Sequence, residues 1–190
     1  MFLLSFINTF FLYLLQQTEQ TNMKKLNLLK AIVNYVWIMS VIFYPVMIIT
    51  IAVLIIRNID IADLPFKVSG NFIHLDSTVG KISTVISVLN FGLMLYVLFN
   101  FRKLLDNFTK RLIFETETYT LLSKIGRLII SSSLIYLLAE TMNNLSSEVI
   151  QVEFGFGPFF GLVCLGLFFI VLFEAFLVGK RIKEENELTV

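Results

Sequence analysis

The chain has 190 residues, of which 57% are hydrophobic and only 15% are charged, and its mean hydropathy is +0.83. A soluble domain of this size is considerably less apolar, so the composition excludes that class and predicts an integral membrane protein. The formal net charge of +1 gives no electrostatic reason to expect direct nucleic-acid binding. The lipid bilayer is the partner that the composition predicts.

Residues 1 to 22 are set apart as an N-terminal extension. The first 15 residues are apolar but too short to cross a bilayer, and no basic start or small-residue cleavage site makes them a signal peptide. Met23, followed by two lysines, has the pattern of a natural bacterial start. We interpret residues 1 to 22 as the product of an overcalled start codon, with an interfacial helix as the alternative, and residues 23 to 190 as a four-span membrane domain.

Four apolar segments are predicted to cross the membrane as helices, at about residues 31 to 56, 82 to 101, 124 to 143 and 154 to 178. Three of them contain a charge-free run of at least the roughly 20 residues that a spanning helix needs. The third segment is charge-free only from Leu128 to Ala139. We include it because the basic C-terminal tail would otherwise lie on the opposite side from the basic central loop. The predicted fold is an all-α four-transmembrane-helix bundle.

The positive charges predict the orientation of this bundle. Twelve of the 15 Lys and Arg residues would share one side of the membrane: three before span 1, six between spans 2 and 3, and three after span 4. Because basic segments are retained in the cytoplasm, both termini and the central loop are predicted to be cytoplasmic, in the cell membrane.

The outer loop between spans 1 and 2 is too long for a tight turn. Apolar and polar residues alternate around Ser69, Gly70 and Asn71, which is typical of a small β-hairpin. His74 is the only histidine and Cys164 the only cysteine, so neither a metal site nor an intramolecular disulfide is predicted.

Small and polar residues inside the spans are candidates for contacts between helices. Asn90 in span 2 is expected to hydrogen-bond a neighbouring helix, because an amide in lipid needs a partner. Gly157 and Gly161 in span 4 have the GxxxG spacing that permits close helix approach.

Glu174 is the one acidic residue within an apolar run, and it leaves two interpretations open. It could form a structural ion pair with Arg102 or Arg127 at the cytoplasmic ends of neighbouring helices. Alternatively, it could be an intramembrane polar site that moves a proton or carries a signal.

The inner loop between spans 2 and 3 is the most organised polar region. Two short amphipathic helices are predicted there, because apolar residues recur at helical spacing in two stretches. Basic residues beside apolar anchors suit a membrane surface, and a docking surface for a cytoplasmic protein is the alternative. The apolar anchors are Leu104, Leu105, Phe108, Leu121, Leu122 and Ile125. The candidate cytoplasmic interaction surface, which includes the C-terminal tail, comprises Arg102, Lys103, Lys110, Arg111, Glu184, Glu185, Glu187, Leu188, Thr189 and Val190.

Three stretches carry a resemblance to a known family: MKKLNLLK, FRKLLDNFTKRLIFETETYTLLSKIGR and FEAFLVGKRIKEENELTV. Together they resemble the DUF2975 family of small bacterial four-span membrane proteins, over about residues 23 to 190. The family commonly has a glycine before its loop phenylalanine, where this chain has Lys110, Arg111 and Leu112. The most specific matching positions are Phe114, Leu122, Ile125, Gly126, Glu174, Phe176, Gly179, Glu184, Glu185, Leu188, Thr189 and Val190.

The resemblance implies a bacterial inner-membrane location, no established activity, and a partner, because the family's genes often lie beside a small Xre-type helix-turn-helix regulator. The first predicted function is therefore to regulate or sense for such a regulator through the cytoplasmic surface. The alternative is a small transport or immunity-type membrane protein with Glu174, Asn90 and Pro45 along its path. No catalytic or cofactor-binding motif is present, so neither an enzyme nor a cofactor is predicted. A homo-oligomer is left open.

Overall fold

The computed structural model describes residues 2–57, 67–68, 71–72, 75, 77–113, 115–146 and 157–188. Each of its four helices contains a segment that is long and apolar enough to cross a membrane. The prediction of a helical chain with four such segments is confirmed, including the weakly apolar third. The helices are α1 (Phe2–Arg57), α2 (Thr78–Thr109), α3 (Thr116–Ser146) and α4 (Pro158–Leu188).

Local chemistry explains where these helices begin. The Ser77 hydroxyl precedes α2 and accepts a hydrogen bond from the Gly80 backbone N–H at 2.9 Å, which satisfies a free donor of the first turn. Pro158 is the first residue of α4, a position where its missing N–H removes no helical hydrogen bond. Pro45, in contrast, lies inside α1, and the helix continues through it. The expectation that residues 1 to 22 are an overcalled start stays a prediction, and residues 2 to 22 form the first part of α1.

The inner loop differs from its prediction. The two short amphipathic helices do not exist as separate elements, because α2 runs on to Thr109 and α3 already begins at Thr116. Neither proline nor glycine interrupts residues 101 to 109, so nothing ends the helix at the membrane boundary. What remains of the loop is a short turn that begins at residue 110 and precedes α3.

The helices pack in chain order, each antiparallel to the next. Lys30 Nζ lies 2.6 Å from Asp106 Oδ1, which joins α1 to α2, and Gly126 of α3 lies against Gly166 of α4. Between α2 and α3, the Ser83 hydroxyl donates to the Ala139 carbonyl oxygen at 2.7 Å. The hairpin of α2 and α3 is therefore central, with α1 packed on α2 and α4 packed on α3. The end that contains the turn between α2 and α3 carries most of the Lys and Arg residues, and we call it the basic end.

The tightest apolar packing lies near the basic end, between α2 and α3. Leu104 and Leu122 are each 1% exposed and Ile125 is 0% exposed, in one cluster with Val97 and Ile129. The sequence analysis expected the first three to anchor the loop on a membrane surface. That expectation is wrong, because these side chains fill the space between two antiparallel helices.

Two glycines allow α3 and α4 to approach closely. A Cβ atom on Gly126 would lie 2.8 Å from the Gly166 carbonyl oxygen, and one on Gly166 would lie 3.0 Å from the Gly126 carbonyl oxygen. The expected GxxxG pair, Gly157 and Gly161, is not at a helix contact, because a Cβ atom on either would meet nothing within 4 Å among the described residues. The close contact depends on one glycine from each helix. The spacing of glycines within a single helix does not show which glycines meet in this way.

The predicted β-hairpin falls in an outer loop of which only small parts lie inside the described residues. There, β1 (Lys67–Val68) pairs antiparallel with β2 (Asn71–Phe72), with Lys67 opposite Phe72. Each strand has two residues, far fewer than the five or six of a typical strand. This pairing is too short to support an independent hairpin.

Candidate functional site at the basic end

The α2–α3 contact is a regular seam of buried residues. On α3 the buried positions alternate at spacings of three and four, and on α2 they follow one another at spacings of four, three, seven and seven, which fits the heptad pattern of a coiled coil. Apart from a hydrogen bond from Asn107 to Thr118 next to the turn, the half of the seam nearer the basic end is apolar, whereas the other half is mostly polar. The seam was not predicted from the sequence, although the spacing of its residues is visible there. The α2 positions are Ser83, Ser87, Asn90, Val97 and Leu104, and the α3 positions are Leu122, Ile125, Ile129, Ser132, Tyr136, Ala139 and Asn143.

Asn90 lies in the polar half of this seam and is buried. Its Oδ1 atom accepts a hydrogen bond from the Ser132 hydroxyl at 2.6 Å, so Asn90 does link α2 to the neighbouring helix. Because this hydrogen bond satisfies the buried amide, the position of Asn90 in an apolar span is explained without a role in transport or signalling.

A double-mutant cycle of Asn90→Ala and Ser132→Ala should show this coupling. We expect the two substitutions together to destabilise the protein less than the sum of the single effects, by about 0.5 to 1.5 kcal/mol. Unfolding by SDS in mixed micelles, followed by circular dichroism, measures the three variants. Strictly additive effects would contradict the hydrogen bond. Ser131→Ala is the control, because that exposed hydroxyl donates only to the Arg127 carbonyl oxygen of its own helix.

Ring contacts between α2 and α4 show which residue of α2 lies level with Glu174. Phe101 contacts Phe169 at a centroid distance of 6.1 Å, and Phe108 contacts Phe176 at 6.0 Å. The constant offset puts Glu174 level with Asp106, which is four residues, or about 6 Å, beyond Arg102. Glu174 therefore lies closer to the basic end than Arg102 does.

The expected ion pair of Glu174 is not formed. The Arg102 Nε–H donates to Asn34 Oδ1 of α1 at 2.6 Å, and among the described residues no cation lies within ion-pair distance of Glu174. The Glu174 side chain is exposed on α4. Arg127, the other expected partner, is also exposed.

The structure divides the candidate interaction surface into three parts. The first part is an aromatic belt, in which cations alternate with ring faces. The second is the turn between α2 and α3, which we call the tip, residues 110 to 113. The third is the C-terminal tail from Lys180. The belt comprises Trp37, Tyr96, Phe99, Arg102, Lys103 and Lys124.

Every member of the aromatic belt touches another member. The Arg102 guanidinium lies 4.2 Å from the centre of the Trp37 ring, and Lys103 Nζ lies 4.8 Å from that of Phe99. Lys124 Nζ donates to Tyr96 Oη at 2.6 Å. The rings of Trp37 and Phe99 are 6.2 Å apart, and those of Tyr96 and Phe99 are 6.4 Å apart. Three helices thus contribute to one layer of rings and cations.

The tip has a backbone geometry that normally selects glycine. Arg111 has φ of +60°, the left-handed conformation that ends many helices. Its N–H donates to the Phe108 carbonyl oxygen at 3.1 Å, and the Leu112 N–H donates to the Asn107 carbonyl oxygen at 2.9 Å. These two bonds form a Schellman motif, in which Arg111 occupies the usual glycine position. Thr118 supports the turn by donating its hydroxyl to the Leu112 carbonyl oxygen at 2.6 Å.

The tail continues α4 as a charged helix. Lys180 Nζ lies 3.6 Å from Glu184 Oε1 and 5.3 Å from the centre of the Tyr119 ring of α3. Glu184 and Glu185 are exposed. The remaining expected residues of this surface, the side chains of Glu187 and Leu188 and the whole of Thr189 and Val190, lie outside the described part of the chain. Lys180 therefore docks the start of the tail on α3.

Within the described ranges, no group of three or more His, Cys, Asp or Glu side chains could hold a metal ion. Cys164 is exposed on α4.

A family model described as "Protein of unknown function (DUF2975)" matches residues 14–190. The match covers all four spanning segments, the belt, the tip and the tail. We find no match among curated proteins or among solved structures.

Proposed function

Since the chain belongs to the DUF2975 family, whose function is unknown, we propose its function from its own geometry. The chain is a multi-pass protein of the bacterial inner membrane that binds a small cytoplasmic regulator through the tip. In this proposal both termini and the tip lie in the cytoplasm.

The distribution of charge supports this orientation. Because neighbouring helices are antiparallel, the basic residues before span 1, between spans 2 and 3 and after span 4 fall at one end of the molecule. Positively charged segments close to spans are retained on the cytoplasmic side. The basic end is therefore the cytoplasmic end.

The observation that carries the proposal is Arg111 in a left-handed backbone conformation. A non-glycine residue there is less favourable than glycine by about 1 kcal/mol, because its Cβ atom crowds the backbone. The turn would be more stable with glycine. Strain of this kind is typical of functional positions, and a long exposed cation at this position points to a binding role.

The depth of the tip favours a protein partner over lipid. Lys110 follows Arg102 by eight residues, or about 12 Å along the helix, whereas the headgroup layer is about 5 to 8 Å thick. Leu112 is 38% exposed and Ile113 is 36% exposed, next to the two cations of the tip. Apolar side chains held beyond the headgroups suit contact with a protein. A small helix-turn-helix regulator with an acidic patch fits this surface, and the resemblance implies such a regulator.

The proposal predicts that the variant Lys110→Gln with Arg111→Gly keeps its fold and loses partner binding. Glycine relieves the backbone strain, so any loss of binding cannot be assigned to a damaged turn. We expect affinity for the Xre-type regulator to fall about tenfold or more, because two cations leave the contact. Biolayer interferometry with the full-length protein in nanodiscs measures this affinity.

The matched control for the tip is Lys24→Gln with Lys25→Gln, which removes two exposed cations from the same end of the molecule. This control should bind the regulator like the wild type. Equal affinities of the tip variant and the wild type would overturn the proposal. The transport or immunity alternative receives less support, because Asn90 is bonded within the seam and Glu174 lies closer to the basic end than Arg102 does.

A further inference from the structure

We propose that the aromatic belt is a binding site for the headgroup of an anionic phospholipid of the inner leaflet. Lys103 and Lys124 bind the lipid phosphate, with Arg127 one turn further along α3. An acyl chain of the same lipid lies in the shallow strip between α2 and α3. This site is separate from the tip and does not depend on the regulator.

The charge of the belt is uncompensated. Among the residues that the structure describes, no carboxylate pairs with Lys103, Lys124 or Arg127. Lys103 contacts only a ring face, and Lys124 contacts the ring and hydroxyl of Tyr96. Three neighbouring cations without a counter-charge, held beside a neutral hydroxyl, form a site that is complementary to an anion.

The depth of the belt matches that of a lipid phosphate. Tyr96 and Phe99 lie within the last six residues of the charge-free stretch from 82 to 101, and Arg102 and Lys103 follow this stretch. The belt therefore lies where hydrocarbon meets the headgroups. Aromatic rings are enriched at this depth because their amphipathic faces suit the interface.

An exposed apolar strip leads from the belt into the hydrocarbon. On α2, one face continues from Lys103 back along the chain to Tyr96, Leu89 and Val85, at successive spacings of seven, seven and four residues. On α3, Leu134 and Leu138 follow Lys124 and Arg127 on a shared face, and both leucines are more than half exposed. The Tyr96–Lys124 hydrogen bond brings the two faces together. Cations at one end and apolar side chains along the rest match the shape of a phospholipid.

The Lys124–Tyr96 hydrogen bond gives the site its geometry. It holds the Lys124 ammonium group 4.7 Å from the centre of the Tyr96 ring, and the Lys103 ammonium group lies 4.8 Å from the centre of the Phe99 ring. Fixed ammonium groups lose less conformational freedom on binding than free surface lysines do, which favours a defined lipid over a diffuse ion atmosphere.

Native mass spectrometry tests the proposal on the full-length protein. The protein is released from micelles that contain dioleoylphosphatidylglycerol, dioleoylphosphatidylcholine or inorganic phosphate, and bound adducts are counted. We expect the wild type to retain the anionic lipid in preference to the zwitterionic one. Lys103→Gln with Lys124→Gln should weaken retention of the anionic lipid about 30-fold, because each cation near the surface contributes about a factor of five.

Two variants make the result specific. Lys24→Gln with Lys25→Gln removes the same charge from the same end and should retain the lipid. Lys103→Arg with Lys124→Arg keeps both cations and should restore at least part of the retention. Equal losses in the belt variant and the Lys24/Lys25 control would overturn the site, because they would indicate general charge attraction.

Two outcomes with the unaltered protein also decide the proposal. Absence of any preference for the anionic lipid would overturn it even if the glutamine variant failed to fold. Retention of inorganic phosphate as strong as that of the lipid would likewise overturn it, because the acyl chain would then contribute nothing.

Discussion

Gly126→Ala is expected to separate α3 from α4 and to destabilise the protein by about 1 to 3 kcal/mol. The new methyl group would lie 2.8 Å from both the Gly166 carbonyl oxygen and Ile170 Cγ1. Backbone cannot move aside as a flexible side chain can, so the helices must shift apart and lose packing along their contact. SDS unfolding in mixed micelles, followed by circular dichroism, measures the change.

Gly161→Ala is the matched control for this steric effect. It is also a glycine of a spanning helix, but a Cβ atom there would meet nothing within 4 Å of described structure. We expect its stability to be unchanged or slightly raised, because alanine is the better helix former. If both substitutions changed stability equally, the close contact of Gly126 with Gly166 would be disproved.

Leu122→Ala is expected to destabilise the protein by about 2 to 5 kcal/mol. Leu122 is almost fully buried against α2, so truncation leaves a cavity that two antiparallel helices cannot easily close. The same unfolding titration applies, and the fluorescence of the single tryptophan, Trp37, reports separately on α1. Trp37 contacts Phe99 of α2, and α1 packs on α2 rather than on α3. Loss of α2–α3 packing should therefore precede any change in Trp37 fluorescence.

Leu134→Ala provides the comparison for Leu122, since Leu134 lies on α3 and is 57% exposed. We expect a small change in stability there. The comparison also distinguishes the two interpretations of the inner loop. If Leu122 were a membrane-surface anchor, its truncation would weaken lipid contact and leave the unfolding transition nearly unchanged.

The spans and the role of Asn90 could be predicted from the sequence because they depend on properties of single segments. Apolar length defines a span wherever its neighbours lie, and an amide in lipid needs a partner whichever helix supplies it. The basic residues indicated the end that carries the belt and the tip for the same reason.

Features that depend on which helices meet could not be predicted. The spacing of Leu104, Leu122 and Ile125 shows an apolar helix face, but the same face suits a bilayer surface and a partner helix equally. Gly126 and Gly166 come together only once α3 and α4 are in register. The position of Glu174 beyond Arg102 follows from ring contacts between α2 and α4, which no pattern within α4 contains.

The conformation of Arg111 also had to come from the structure. The arginine was visible in the sequence, but its meaning depends on the backbone. Only the positive φ shows that an arginine occupies the helix-ending position.

The polar half of the α2–α3 seam has a consequence for biogenesis. Alone in hydrocarbon, α2 would expose Asn90 and α3 would expose Ser132 to lipid, and an unpaired amide there costs several kcal/mol. Inserted together as a hairpin, the two helices satisfy each other at 2.6 Å. The outer helices α1 and α4, which present broad apolar faces, have no such requirement. We therefore expect α2 and α3 to be more stable in the membrane as a paired hairpin than as separate helices.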